Sequence, residues 1–223
     1  MEEYSKLIEG LNPCVDLFIT ETLCSVREVR AACEALSAVP RPLFIGVSVK
    51  DDGSNRLRSG EDLQAALDVA KNYGFIRGLL VNCSSPAAVG AALPLLKAAA
   101  MEIGRDAEET VRIGGYANLF KVSRRAGAPP PPAPAPTPAG APGRPSSPPP
   151  PPPPQQTTDE WLGGEAPAVT TEDGDYSGDV MTPAGYAKHV ASWIEAGATV
   201  VGACCGSTPA HIQACRAAIT ASA

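Results

Sequence analysis

Apolar and polar positions along the 223-residue chain switch repeatedly between the helical and the extended period. Residues 1–10 place Tyr4, Leu7 and Ile8 on one face, which reads as the tail of a helix. Asp16-Leu-Phe-Ile-Thr20 is a short buried-strand signal ending in Glu21-Thr22. Ser25-Val-Arg-Glu28 has capping-box spacing and opens an alanine-rich helix through about Leu36, where Pro40 and Pro42 end it. Leu43–Val49 is apolar along most of its length, as a strand covered on both faces would be. After a polar loop, Lys50 to Arg58, Ser59-Gly-Glu-Asp62 starts a helix through about Asn72 with Leu63, Ala66, Leu67 and Ala70 at helical spacing. Gly78–Asn82 is a third strand ending at Cys83. Ser85-Pro86 is an N-cap followed by a first-turn proline, opening a helix to about Ala100. Val111–Tyr116 is a fourth strand leading to Ala117-Asn118. Thr182-Pro183 repeats the helix start, and Ala184–Ala196 carries Tyr186, Val190 and Trp193 on one face. Gly197–Val201 is a fifth strand, and Thr208-Pro209 starts a last helix bearing Ile212, Cys215 and Ile219.

Strand and helix thus alternate five times, the pattern of parallel βα units. Two architectures fit, an open doubly wound sheet or part of a (β/α)8 barrel. In both, functional groups sit where strands end and helices begin. The polar residues fall at those ends: Glu21, Ser48, Asn82-Cys83, Tyr116–Asn118 and Cys204-Cys205. Neither G-x-G-x-x-G nor G-x-x-x-x-G-K-[ST] occurs, which removes the usual support for nucleotide binding.

Composition changes this picture in one stretch. Residues 126–157 hold most of the 24 prolines, with Ala, Gly and Ser. Such a stretch buries too little apolar surface to fold and reads as an extended, partly polyproline II insertion. A docking site for an SH3- or WW-type partner is the rarer alternative. Thr157–Gly178 reads as loop. A net charge of −6, with no Lys/Arg-rich run, offers no nucleic-acid surface. No apolar stretch approaches the roughly 20 residues of a membrane span, and Met1-Glu-Glu-Tyr-Ser5 lacks a secretory pattern. A cytoplasmic location is expected.

The seven cysteines are Cys14, Cys24, Cys33, Cys83, Cys204, Cys205 and Cys215. Their odd number and wide spacing suit thiols in a reducing compartment. Cys14, Cys24, Cys33 and Cys215 read as small buried hydrophobes. Cys83 and the Cys204/Cys205 pair differ, since each lies at a strand end three to five residues before a [Ser/Thr]-Pro helix start. Adjacent cysteines do not easily bond each other, and a shared soft metal ion is a natural third partner. Three thiolates on one barrel rim would hold zinc and leave a fourth position for a substrate sulfur, kept as the nucleophilic thiolate. The same spacing is also compatible with three buried thiols. His189 and His211 are alternative ligands, but both fall in helical patterns where a packed or solvent-facing side chain is the plainer reading.

Asn82-Cys83-Ser-Ser-Pro86 and Gly202-Ala-Cys-Cys-Gly-Ser-Thr-Pro-Ala-His-Ile212 resemble the two zinc motifs of the homocysteine S-methyltransferase family. Asp16–Thr22 resembles that family's fourth strand, Phe44–Ser48 its fifth and Tyr116-Ala-Asn118 the end of its seventh. The resemblance covers most of the chain outside 126–180. It implies an incomplete (β/α)8 TIM barrel, strands four to eight of the family domain. Residues 1–125 would form the first segment of the homocysteine-binding barrel, 126–180 the proline-rich insertion, and 181–223 the last βα unit. It further implies Zn2+ held by Cys83, Cys204 and Cys205, homocysteine as methyl acceptor, methionine as product, and a substrate pocket including Glu21, Thr22, Ser48, Asn82 and Asn118. Glu21 would face the substrate ammonium. The donor would be S-methylmethionine, S-adenosylmethionine or betaine.

The sequence departs from the family pattern in two ways. The first three strands, with the aspartate-glycine motif that begins the domain, have no counterpart, so a C-terminal fragment is expected. Five strands cannot close an eight-stranded barrel, and the first and last would have exposed edges. The second departure is the insertion, on the catalytic face. A non-catalytic zinc- or thiol-binding remnant, or an interaction protein acting through its proline-rich segment, is the competing reading. A doubly wound binding domain with merely buried cysteines is a third.

Overall fold

Side-chain caps fix three of the helices where the residue pattern anticipates them. The computed structural model describes residues 2–39, 41–104, 110–121 and 174–221; the proline-rich segment, with the docking role considered for it, lies outside them. Helix α1 spans Glu2–Leu11 and α2 Val26–Leu36. At the start of α2, Ser25 Oγ accepts the Glu28 N–H and the Glu28 carboxylate accepts the Ser25 N–H, the anticipated capping box. Helix α3 (Leu63–Ala70) begins later than Ser59, because Lys50–Asp62 is held as loop by bridges pairing Val49 with Leu57 and Arg56 with Asp62. Helix α4 (Pro86–Ile103) is capped by the Ser85 hydroxyl, and α5 (Pro183–Glu195) by that of Thr182. Helix α6 spans Pro209–Ala221.

The strands are β1 (Phe18–Leu23), β2 (Leu43–Val47), β3 (Ile76–Asn82), β4 (Arg112–Ala117), a short hairpin β5 (Tyr176–Ser177) with β6 (Val180–Met181), and β7 (Val200–Ala203). The hairpin falls where the polar composition suggested loop on to Gly178; two-residue strands are too short for a period to show, and Gly178 makes the turn at φ +60°. Five strands form one parallel sheet in the order β1-β2-β3-β4-β7. A doubly wound sheet reverses its strand order at a switch point. This one follows chain order throughout, which removes the doubly wound alternative and leaves an order of the TIM-barrel type. Parallel strands in this order need crossover connections, and successive helices pack against each other.

Alternation along the strands divides the two faces. Leu43, Ile45, Val47, Leu79, Val81, Ile113 and Ala117 are buried on the helix side. There the Val89 side chain of α4 comes so close to Gly115 that a Cβ would lie 2.6 Å from it. The opposite face carries Phe44, whose ring covers Gly78, and Tyr116, whose hydroxyl stands over Gly46. Two expectations change. Helix α4, with 18 residues and mean hydropathy 1.3, is long and apolar enough to cross a membrane by length and composition; its Val89, Leu93 and Leu96 are fully buried here. Cys33 and Cys215 are buried, but Cys14 is exposed and Cys24 half-buried. Cys14 ends the 3-10 turn that leaves α1, and the Cys24 thiol donates to the Thr22 carbonyl at 3.2 Å.

The sheet edge at β1 is open. Leu7, Leu11, Leu17 and Ile19 are large exposed apolar residues there, and α1 and β1 line a groove of about 210 Å³ reaching Glu21. The far side of the sheet is pinned instead. Buried Tyr186 donates its O–H to the Gly202 carbonyl at 2.6 Å and accepts the Ala117 N–H at 3.1 Å, joining β4 to β7. Tyr186→Phe strands both backbone groups, so unfolding in urea is expected to show a loss of about 1–3 kcal/mol with an unchanged m-value. An unchanged midpoint would contradict this role.

Candidate metal centre

Strand β3 ends at Asn82, and the next residue turns sharply. Cys83 has φ +48°, a left-handed conformation that non-glycine residues adopt at a cost of order 1–3 kcal/mol. Bonds on both sides hold it there. Its N–H donates to the Tyr116 carbonyl at 3.3 Å. Its carbonyl accepts from Arg58 Nη2 at 3.1 Å, and the same nitrogen pairs with Asp51 at 3.0 Å. The other Asp51 oxygen accepts the Ser85 N–H at 2.6 Å. Asp51 and Arg58 thus bracket Cys83 from a loop whose sequence reads only as polar. Opposite charges seven residues apart were the only trace of this clamp.

The double-cysteine loop is tied to the neighbouring strand end. The Cys204 N–H donates to the Ala117 carbonyl at 2.9 Å, and the Cys205 carbonyl accepts the Leu119 N–H at 2.9 Å. The Cys205 N–H donates to Asn118 Oδ1 at 3.3 Å. Gly206, at φ +82°, then reverses the chain, and a Cβ there would press on the Phe120 ring.

Three sulfurs converge as a result. Cys83 Sγ lies 2.9 Å from Cys204 Sγ, although 121 residues separate them. Cys204 and Cys205 Sγ are 3.8 Å apart, and all three sulfurs lie within 4.8 Å of one another. Zinc–thiolate bonds of about 2.3 Å at tetrahedral angles separate two sulfurs by about 3.8 Å. The second spacing already matches, and the first needs a small opening, so the donor set fits a soft divalent ion. Burial, with the Cys83 and Cys205 hydrogen bonds adding to it, pushes the Cys204 thiol well above the ordinary cysteine value. At neutral pH this thiol keeps its proton until a cation displaces it.

His211 does not join the group. Its Nδ1 accepts the Thr208 N–H at 3.1 Å and its Nε2 lies 2.8 Å from the Met181 carbonyl, which fixes Nε2 as the protonated nitrogen and occupies both. His189 is half-buried on α5, and burial lowers its pKa.

The other expected residues divide by what their side chains touch. Glu21 and Thr22 sit at an irregularity in the β1–β2 register, and both are exposed. Thr22 has φ +60°. Asn82, almost wholly buried, holds it there: Asn82 Oδ1 accepts the Thr22 N–H and Asn82 Nδ2 donates to Thr22 Oγ1, both at 2.9 Å. Ser48 is buried and donates to the Asn82 carbonyl at 2.8 Å. Asn118 holds Cys205 as described. Ser48, Asn82 and Asn118 are therefore bonded to neighbouring protein groups, while the Glu21 carboxylate is exposed. Sequence reasoning did not assign a role to Asp51, Arg58 or the Tyr116 side chain.

A family model described as homocysteine S-methyltransferase matches residues 1–138 and 155–219. The chain belongs to that family. No individual curated protein matches it closely enough to count as a relative. Among solved structures, the homocysteine methyltransferase MmuM from Escherichia coli is similar in three forms. The apo form superposes with TM-score 0.57 at 19% identity, covering 97% of this chain and 57% of MmuM. The oxidized form gives 0.58 at 19% identity and the metallated form 0.55 at 21%, each covering 97% of this chain and 51% of MmuM. The chain thus spans little more than half of the length of these structures, and at such identities the likeness is one of fold. In this family member, Arg58→Ala frees the Cys83 turn. Metal affinity, measured by competition with a chromophoric chelator, is expected to fall roughly 10- to 100-fold with the far-UV spectrum unchanged, and Arg58→Lys to recover part of it. Because thiol protons must leave, affinity should rise with pH across the neutral range. Equal affinity in Arg58→Ala and the parent would contradict the clamp.

Proposed function

We propose that the protein transfers a methyl group to the thiol of homocysteine, giving methionine, with zinc held by Cys83, Cys204 and Cys205. The observation that carries this reading is the convergence of the three sulfurs at the ends of two strands in a homocysteine S-methyltransferase sheet. An all-sulfur donor set selects a soft ion and, with three protein ligands, leaves one position for substrate. Bound zinc would keep the substrate sulfur as thiolate at neutral pH.

The chain's own groups do the rest. Glu21, exposed at the end of β1, would receive the substrate ammonium. Asn82 sets the turn that presents Glu21, with Thr22 as its partner and Ser48 fixing the Asn82 backbone. Asn118 would set the direction of Cys205. The small donor, S-methylmethionine, S-adenosylmethionine or betaine, carries its methyl on a positively charged sulfur or nitrogen. Displacement in line moves that methyl to the thiolate and leaves the donor with one positive charge fewer, so positioning is the main catalytic contribution.

In the same reading the sheet is strands four to eight of an eight-stranded barrel, with residues 1–125 and 181–223 as its wall and 126–180 inserted between. Strand order in chain sequence supports this, as do the open β1 edge and its apolar groove. The second reading is a non-catalytic zinc- or thiol-binding remnant of that domain.

Methionine formation from homocysteine with each donor separates them. Turnover with one donor is expected, with Cys204→Ser losing zinc and more than about 100-fold of the rate. Activity indifferent to Cys204→Ser would contradict the mechanism, and zinc binding without turnover would establish the remnant.

A further inference from the structure

Tyr116 ends the inner face of β4, in register with Asn82 of β3 and Gly202 of β7. Its ring crosses β3 toward β2. Gly46 makes room for it: a Cβ there would stand 3.0 Å from the Tyr116 hydroxyl. Gly202 leaves similar room beside the Tyr116 Cβ, at 3.3 Å. Two glycines on flanking strands therefore admit one aromatic side chain laid across the sheet, beneath the strand ends that carry the sulfurs.

The hydroxyl at the tip of this ring is buried and has no hydrogen-bond partner among the described residues. The Asn82 amide oxygen reaches the same spot over Gly46, but it already accepts the Thr22 N–H, and the amide nitrogen is spent on the Thr22 hydroxyl. Among charged groups the Glu21 carboxylate acts on the Tyr116 hydroxyl most strongly, as a hydrogen-bonding neighbour as well as a charge, though it falls short of hydrogen-bond geometry here; Cys204 and Cys83 follow. A phenol keeps its proton at neutral pH, so the group is an O–H donor. A buried donor left unmet is costly, and native structures leave few of them. One that sits beside an exposed carboxylate and near a cluster of thiols is placed to meet an acceptor on a bound ligand.

We infer that Tyr116 is a substrate-binding residue which, with Glu21, reads the zwitterionic head of a thiol amino acid: its hydroxyl donates to the ligand carboxylate while Glu21 takes the ammonium. The inference rests on the proposed function, and adds to it a residue and the selection of an α-amino acid over a simple thiol. In an α-amino acid the two charged groups share one carbon, which matches a carboxylate and a hydroxyl that are neighbours. The thiol arm then extends toward Cys83 and Cys204.

The test is calorimetric binding of L-homocysteine and of 3-aminopropane-1-thiol, the same molecule without its carboxylate, to the zinc-loaded full chain. Tyr116→Phe is expected to weaken L-homocysteine roughly 10- to 100-fold and leave the aminothiol unchanged. Zinc content should be unaffected. The melting temperature should change little, because the deleted hydroxyl makes no bond of good geometry. Glu21→Gln, an independent variant, should weaken both thiols alike. An equal loss for both thiols in Tyr116→Phe, or no loss for L-homocysteine, would overturn the assignment while leaving the zinc reading intact. If the parent protein binds neither thiol, the reading of the site fails, and the role of Tyr116 with it.

Discussion

Four backbone hydrogen bonds from residues 116–119 hold the thiol cluster together. Tyr116 and Ala117 offer their carbonyls to the N–H groups of Cys83 and Cys204, and Asn118 and Leu119 donate to the carbonyls of Ser84 and Cys205. The C-terminal end of β4 therefore splints two loops that are 121 residues apart in sequence. Parallel register makes this possible, because all five strands of the sheet end on the same rim. Without it, three thiols would be isolated polar groups at the edge of an apolar core.

Strain at the rim is held in place by polar side chains that are themselves buried or clamped. Cys83 and Thr22 both take positive φ, and each is over-determined. Arg58 and Asp51 bracket the first, and both ends of the Asn82 amide grip the second. Such conformations persist where surrounding bonds enforce them, and they cluster at functional sites. Here they aim one sulfur and one carboxylate toward the same side of the sheet, with the Tyr116 ring below. The buried Tyr186 hydroxyl keeps the last two strands in step beneath the double-cysteine loop.

The five strands of the sheet were legible in the sequence because each carries an apolar run, and three helices because each starts at a capping residue. Ser25, Ser85 and Thr182 all cap as their spacing announces. The three zinc-type cysteines were legible as strand-end residues, and the family motifs named them together. Other parts of the site depend on contacts that leave no local mark. A left-handed threonine or cysteine contradicts residue preference, so nothing at position 22 or 83 signals the turn. Arg58 acts from a loop on a residue 25 positions away. The Tyr116 ring needs Gly46, two strands distant, and only the register brings them together. Ser48, Asn82 and Asn118, expected as substrate positions, also bond to the protein backbone and to Thr22, contacts that the sequence leaves unmarked.

The account turns on whether the three sulfurs share one zinc ion that accepts the substrate's sulfur as its fourth ligand. X-ray absorption at the zinc edge measures this directly on the loaded protein. The account predicts three sulfur neighbours and one lighter atom without substrate, becoming four sulfurs when L-homocysteine is added. A first shell with fewer than three sulfurs, or one that L-homocysteine leaves unchanged, would contradict it.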